Sequence, residues 1–238
     1  MRPLCVDLDG TLIKTDLLLE SLCLLFKNKP LLMALTPFWL LRGKAHLKRK
    51  IAEHVRITPD LLPYREDFLN YLRDEQAGGK SIVLATASNE LLVRPVADYL
   101  GVFSEVVASN GKINCRGLVK AEMLKARFGP AGFDYAGNSK ADIPVWKQCA
   151  EPLVVGEKGR LFDRVREENP SARLFEEKRY PMFSFIRSMR VHQWVKNLLL
   201  FVPVIMAHRL GDVQTIWATV FGFFAFGVAA SSVYLLND

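Results

Sequence analysis

The stretch Leu4-Cys5-Val6-Asp7-Leu8-Asp9-Gly10-Thr11-Leu12 decides how the chain is read. It opens as a short apolar run and closes on two carboxylates two residues apart. On an extended chain, positions i and i+2 face the same way. Gly10 lets the backbone turn out of a sheet at its carboxyl edge, where open α/β sheets bind ligands. Both acids therefore reach one small site. A carboxylate nucleophile facing an anionic phosphoryl group needs its charge shielded, which calls for Mg²⁺ held by oxygen ligands. The second acid can protonate a leaving oxygen and later activate water.

Outward from this point, apolar runs alternate with helical periodicity. Strands are expected at Leu4 to Leu8, Ser81 to Thr86, Glu105 to Ala108, Phe133 to Ala136 and Leu153 to Val155. Helices are expected at 61 to 76, 89 to 100, 119 to 128 and 141 to 150, with Asn89 or Ser88 capping the second and Gly101 stopping it. Such alternation predicts a doubly wound parallel-sheet α/β domain. Between Thr11 and Pro59 only helical periodicity is present, which predicts a helical cap inserted after the first strand, within about residues 13 to 77.

The first motif resembles that of the haloacid dehalogenase superfamily, whose phosphotransferase members read D-x-D-G-T. The resemblance covers about residues 3 to 160 and implies that Asp7 is a nucleophile forming an aspartyl-phosphate. It also implies that Asp9 is the general acid and base and offers its carbonyl to Mg²⁺. Thr86 matches the hydroxyl that binds the phosphoryl group, with Ser88 the alternative. Lys120 matches the charge-screening lysine, with Lys112 and Lys140 as competitors. Where the family shows G-D-x-x-x-D, this chain reads Gly137-Asn138-Ser139-Lys140-Ala141-Asp142. Asn138 keeps a ligand oxygen but loses a charge, so metal binding should weaken unless Asp142 compensates. The outcome is either a working enzyme that needs more Mg²⁺ or a binding domain without turnover.

Composition narrows the setting. Among 238 residues, 32 Lys and Arg oppose 25 Asp and Glu, and half of the residues are hydrophobic. That balance excludes a disordered chain and a wholly membrane-embedded one. Cys5, Cys23, Cys115 and Cys149 are scattered without metal-ligand spacing, so neither a disulfide framework nor a zinc site is expected. The N-terminus lacks the apolar core of a signal peptide, which suits a cytoplasmic front domain. Mild basicity fits a phosphorylated small-molecule or lipid-linked substrate, or an anionic membrane surface. Nucleic acid is not expected, because aromatic and Arg residues are not interleaved.

Residues 30 to 41 are uncharged and are followed by Arg42, Lys44, Lys48, Arg49 and Lys50 with no acid among them. The segment reads either as an element pressed on anionic lipid or as a cap core with one solvated basic face. Domain boundaries are expected at 1–165 for the hydrolase-like domain and 166–182 for a linker, with a greasy tail over 183–238. Val213 to Leu236 is charge-free, and at ~1.5 Å per residue it is about 36 Å long, enough for a transmembrane helix. Asn197 to His208 crosses only if Lys196 and Arg209 snorkel or if its helix starts near Val191.

The run Arg187-Ser188-Met189-Arg190-Val191-His192-Gln193-Trp194-Val195-Lys196-Asn197 resembles the opening of UbiA-type intramembrane prenyltransferases. The branch in question includes decaprenyl-phosphate phosphoribosyltransferase. Asn237-Asp238 matches the first two residues of that family's Asp-rich motif, which holds Mg²⁺ against a polyprenyl or phosphoribosyl diphosphate. The resemblance implies a truncated prenyltransferase at an inner (plasma) membrane, with the front domain on the cytoplasmic side. The sequence does not name the oligomeric state.

Overall fold

The computed structural model describes residues 1–176, 197, 200–207 and 211–237, with side chains described as far as residue 229. The chain divides into two compact units, Met1–Glu177 and Lys178–Asp238.

The first unit is built on a six-stranded sheet in the order β3-β2-β1-β4-β5-β6, with all pairings parallel. Its strands are β1 (Leu4–Val6), β2 (Ile82–Asn89), β3 (Glu105–Ser109), β4 (Asp134–Gly137), β5 (Pro152–Gly156) and β6 (Arg173–Glu176). Because side chains alternate across a pleated strand, the sheet feeds two separate cores. Leu4, Val6, Ile82, Leu84, Leu153 and Val155 enter one. Cys5, Val83, Tyr135 and Val154 enter the other. The expected doubly wound layout follows from this: strands buried on both faces must be covered by helices on both.

On the first face lie α1 (Leu17–Asn28), α4 (Lys44–His54), α5 (Glu66–Ala77) and α6 (Glu90–Leu100). The opposite face takes α7 (Leu118–Phe128), α8 (Ile143–Trp146) and α9 (Arg160–Glu168). Asn89 caps α6 by accepting from Leu91 N–H at 3.1 Å, and Gly101 ends it in the left-handed region with φ +65°. The helices expected between β1 and Pro59 form as α1, α2 (Pro30–Met33), α3 (Thr36–Leu41) and α4, while α5, inside the 13–77 range expected for the cap, packs on the sheet core.

Several expectations are corrected. β2 continues to Asn89, three residues beyond Thr86. The helix expected at 141–150 is reduced to a 3₁₀ turn at Lys140–Asp142 followed by the four residues of α8, with Pro144 in the first turn of α8. Residues 166–176, expected in a linker, form the end of α9 and the edge strand β6. There Phe175 packs edge-on against Phe68 of α5, 5.0 Å between ring centroids. A four-residue edge strand ending in exposed Arg173 and Glu176 carries too weak an alternation to stand out.

In the second unit, Val202–Met206 and Val213–Asn237 are helical. The first lies within 197–208, the segment left open as a conditional crossing. Pro203 has no N–H to donate and is tolerated only in a helix's first turn, so this helix begins afresh at Val202. Val213–Asn237 is helical, its first turn capped by Asp212, whose carboxylate accepts from Gln214 N–H at 3.1 Å, but the transmembrane helix expected from Val213 to Leu236 is not borne out. Among the described residues no helix is long and apolar enough to cross a membrane. Arg187, Arg190, Gln193, Lys196 and Asp238 lie outside the described residues, as does the side chain of Asn237.

Candidate active site

The carboxyl end of β1 delivers Asp7, whose own N–H continues the parallel ladder by donating to Ala136 C=O at 2.9 Å. Gly10 then turns the chain with φ +72°, and a side chain there would run into the Asn138 amide. The loop of the first motif therefore lies directly against the loop after β4. Thr11 Oγ1 donates to Asn138 Oδ1 at 3.3 Å, and Arg65 Nη2 donates to Gly10 C=O at 2.9 Å.

Lys120 reaches this point from the first turn of α7. Its Nζ donates to Asp7 Oδ1 at 2.9 Å and to the Tyr135 hydroxyl at 2.8 Å. Tyr135 in turn donates to Asp142 Oδ1 at 2.7 Å. Asp7 is 8% exposed and Lys120 2%. Burial alone would pull the Lys120 ammonium down, but the Asp7 and Asp142 carboxylates outweigh it and hold the group above its ordinary value. Burial pushes the Asp7 carboxyl up to about 7, with Lys120 opposing the shift. Lys112 and Lys140, the sequence competitors, are both exposed.

Asp9 is held differently. Leu17 N–H donates to its Oδ1 at 2.8 Å, and Ser88 Oγ donates to its Oδ2 at 2.7 Å. Burial raises its carboxyl above the usual range, against the pull of the Ser88 hydrogen bond. Thr86 is fully buried, with Oγ1 3.5 Å from Asp9 Oδ2 and accepting from Ser88 N–H at 3.0 Å. Both hydroxyl candidates thus converge on Asp9.

Asp7, Asp9, Lys120, Asn138 and Asp142 all border one cavity of about 550 Å³. Asp142, expected as a metal ligand, is occupied otherwise. Its Oδ2 accepts from Ser139 N–H at 3.0 Å and Ser139 Oγ at 2.9 Å in a capping box, while Oδ1 holds Tyr135. It positions Tyr135 and the loop. Among the described residues no group of three His, Cys, Asp or Glu is arranged to hold a metal.

Two contributors were missed in the sequence. Tyr135 reads there as an ordinary strand residue, although a buried phenol needs a hydrogen-bond partner. Lys48 sat in a cationic run assigned to lipid or solvent. Instead it is half-buried on the cavity wall, its Nζ donating to Ala87 C=O at 2.6 Å, and burial lowers its ammonium. Periodicity held the signal: Lys48 shares a helix face with the buried Ile51 and Ala52 of α4. Its neighbours Arg49 and Lys50 pair instead with Glu53.

The fold has solved counterparts. A protein of unknown function from Bordetella pertussis Tohama I superposes with TM-score 0.55 at 14% identity, covering 73% of this chain and 97% of that one. An apo phosphoserine phosphatase superposes with TM-score 0.50 at 13% identity, covering 78% of this chain and 98% of that one. In sequence, the uncharacterized protein y4nM of Sinorhizobium fredii is 36% identical over 238 residues, 99% of this chain and 46% of its own length. The nodulation protein NoeC of Azorhizobium caulinodans is 38% identical over 60 residues, 24% of this chain and 19% of its own length. The chain thus spans less than half the length of these curated relatives. The model of the haloacid dehalogenase-like hydrolases matches residues 4–147, and the chain belongs to that family.

Proposed function

We propose that the Met1–Glu177 unit is a phosphohydrolase that forms an aspartyl-phosphate on Asp7 and acts on a phosphorylated small molecule. The carrying observation is the buried pair of Asp7 and Lys120 at the sheet edge, opening on the same cavity as the hydrogen-bonded Asp9. In the first step an Asp7 oxygen attacks phosphorus and the bond to the leaving oxygen breaks. Asp9 gives that oxygen its proton, which its raised carboxyl keeps available. In the second step Asp9 takes a proton from water, the water oxygen attacks phosphorus, and the bond to Asp7 breaks. Lys120 balances charge on Asp7 and on the incoming phosphoryl group throughout.

The donor set fits one hard divalent cation such as Mg²⁺. Asp7 and Asn138 border the cavity with oxygens, and Gly10 brings their two loops together without a Cβ between. Asp7, Asn138 and the Asp9 carbonyl would hold the ion, which supplies charge neutralisation for the phosphoryl oxygens. The Asn138 amide and the engaged Asp142 leave a single carboxylate among these ligands. That favours a second reading, a phosphate-binding module without turnover.

Phosphate release from p-nitrophenyl phosphate with Mg²⁺, measured against Asp7→Asn, tests the proposal. Release well above the variant's background is expected; none would leave the binding module.

For the Lys178–Asp238 unit we infer the start of a UbiA-type prenyltransferase for polyprenyl (di)phosphates, at a plasma membrane with the hydrolase unit on the cytoplasmic side. Its support is the resemblance of residues 187–197 and 237–238, together with the greater length of the relatives. Reading onward in the gene tests it: a completed Asp-rich motif and further apolar helices are expected.

A further inference from the structure

The outer face of the cap is apolar where a water-facing helix is ordinarily polar. On α1, Leu18, Leu22 and Leu25 turn inward, yet Leu19, Cys23 and Phe26, the outward row at i, i+4 and i+7, are exposed and carry no charge. The row continues through α2 and α3. Leu32, Met33 and Trp39 pack on the core, while Leu31 is 88% exposed, Phe38 65% and Leu41 85%. Outward apolar side chains recurring over successive helices mark a contact. Its charge setting says with what. From Ser21 to Ala52 the sequence has no acid, and Lys27, Lys29, Arg42 and Lys44 are exposed around the apolar row. Cations flanking the outward Leu and Phe residues from Phe26 onward, with no carboxylate between Ser21 and Ala52 and with Asp16 and Glu20 confined to the Leu19 end, complement an anionic bilayer.

We propose that the outer face of α1–α3 docks on the surface of an anionic lipid bilayer, with Phe26, Leu31, Phe38 and Leu41 entering the headgroup boundary. Leu19 belongs to both faces of the arrangement: it heads the outward row and also lines the cavity. Docking therefore holds the cavity rim at the lipid surface. Lys48, turned to the cavity, takes no part.

The test is hydrogen exchange on the full chain, read locally so that binding through the second unit does not interfere. Vesicles of phosphatidylcholine alone are compared with vesicles also containing phosphatidylglycerol. Amides of residues 26–42 are expected to exchange about tenfold more slowly on the anionic vesicles. Raised salt and the quadruple substitution Lys27→Gln, Lys29→Gln, Arg42→Gln, Lys44→Gln should each remove that protection. Phe38→Ser with Leu41→Ser, both at exposed positions, should remove it while α5–α9 exchange as before. Equal exchange on the two vesicles overturns the proposal. So does protection that arises without lipid and grows with protein concentration, which assigns the face to a second copy of the chain.

Discussion

Tyr135→Phe isolates the link between Lys120 and Asp142. The substitution deletes one oxygen from a fully buried ring and leaves the ring's edge contact with Trp146, 6.4 Å between centroids, in place. Two hydrogen bonds to charged groups go with that oxygen, at 2.8 and 2.7 Å. Each such bond contributes about 1.5–3 kcal/mol. Part returns, because Lys120 Nζ already stands 3.6 Å from Asp142 Oδ1 and can close that gap. The expected net loss is about 2–4 kcal/mol, read as a lower urea midpoint at unchanged slope. Closing the gap pulls Lys120 away from Asp7, so phosphate release should fall about tenfold, equivalent to about 1.4 kcal/mol in the barrier. A double-mutant cycle with Asp142→Asn should show clear coupling, since both changes break one chain of bonds. A Tyr135→Phe protein within about 0.5 kcal/mol of the parent, additive with Asp142→Asn, would refute the relay.

Asn138→Asp restores a charged ligand, so the Mg²⁺ concentration for half-maximal phosphate release should drop about tenfold or more; an unchanged titration rules out a ligand role for position 138. Lys48→Gln shortens the cation that ties cap to core at 2.6 Å and should cost about 1–2 kcal/mol. With the wall charge gone, KM for a phosphorylated substrate should rise several-fold while kcat holds; a lower kcat at constant KM would contradict that placement. For Asp7, a folded-state carboxyl near 7 against 3.8 in the unfolded chain means that the metal-free fold binds the extra proton. Its stabilisation is present at low pH and is lost as pH rises through about 7. In EDTA, Asp7→Asn should therefore melt above the parent at pH 8 and close to it at pH 5, and equal melting temperatures at both would exclude the strained carboxylate.

How much of this was legible follows from where the information sits along the chain. Asp7, Asp9 and Gly10 are neighbours in sequence, and strand period plus a turn glycine place them together without knowledge of any other element. Lys120 could be named from the family pattern, but its selection over Lys112 and Lys140 is a tertiary fact. Only the docking of α7 buries it against Asp7. Asp142 is ambiguous in sequence for the opposite reason. Its five-residue spacing from Gly137 fits a ligand, yet its three-residue spacing from Ser139 makes a capping box, and the local bonds at 2.9 and 3.0 Å engage one of its oxygens. Tyr135 was invisible because its role depends on two partners, 15 residues before and 7 residues after it.

The cap carries the sharpest form of this limit. A run of cations after an apolar segment, taken as a whole, admits either a lipid face or a solvated face. Helical geometry divides it residue by residue. Lys48, in phase with Ile51, turns to the cavity; Arg49 and Lys50 are neutralised by Glu53; Lys27, Lys29, Arg42 and Lys44 remain around the outward apolar row. One insertion thus has an inner face chemically suited to a phosphorylated ligand and an outer face suited to anionic lipid. The two cannot exchange roles, because a shift of one helical position would bury Arg49 where Lys48 now meets Ala87 C=O, lengthening the side chain in a wall already closed at 2.6 Å. Charge-changing substitutions on the two faces should therefore separate cleanly, those at Lys48 acting on substrate affinity and those at Lys27, Lys29, Arg42 and Lys44 acting on lipid binding alone.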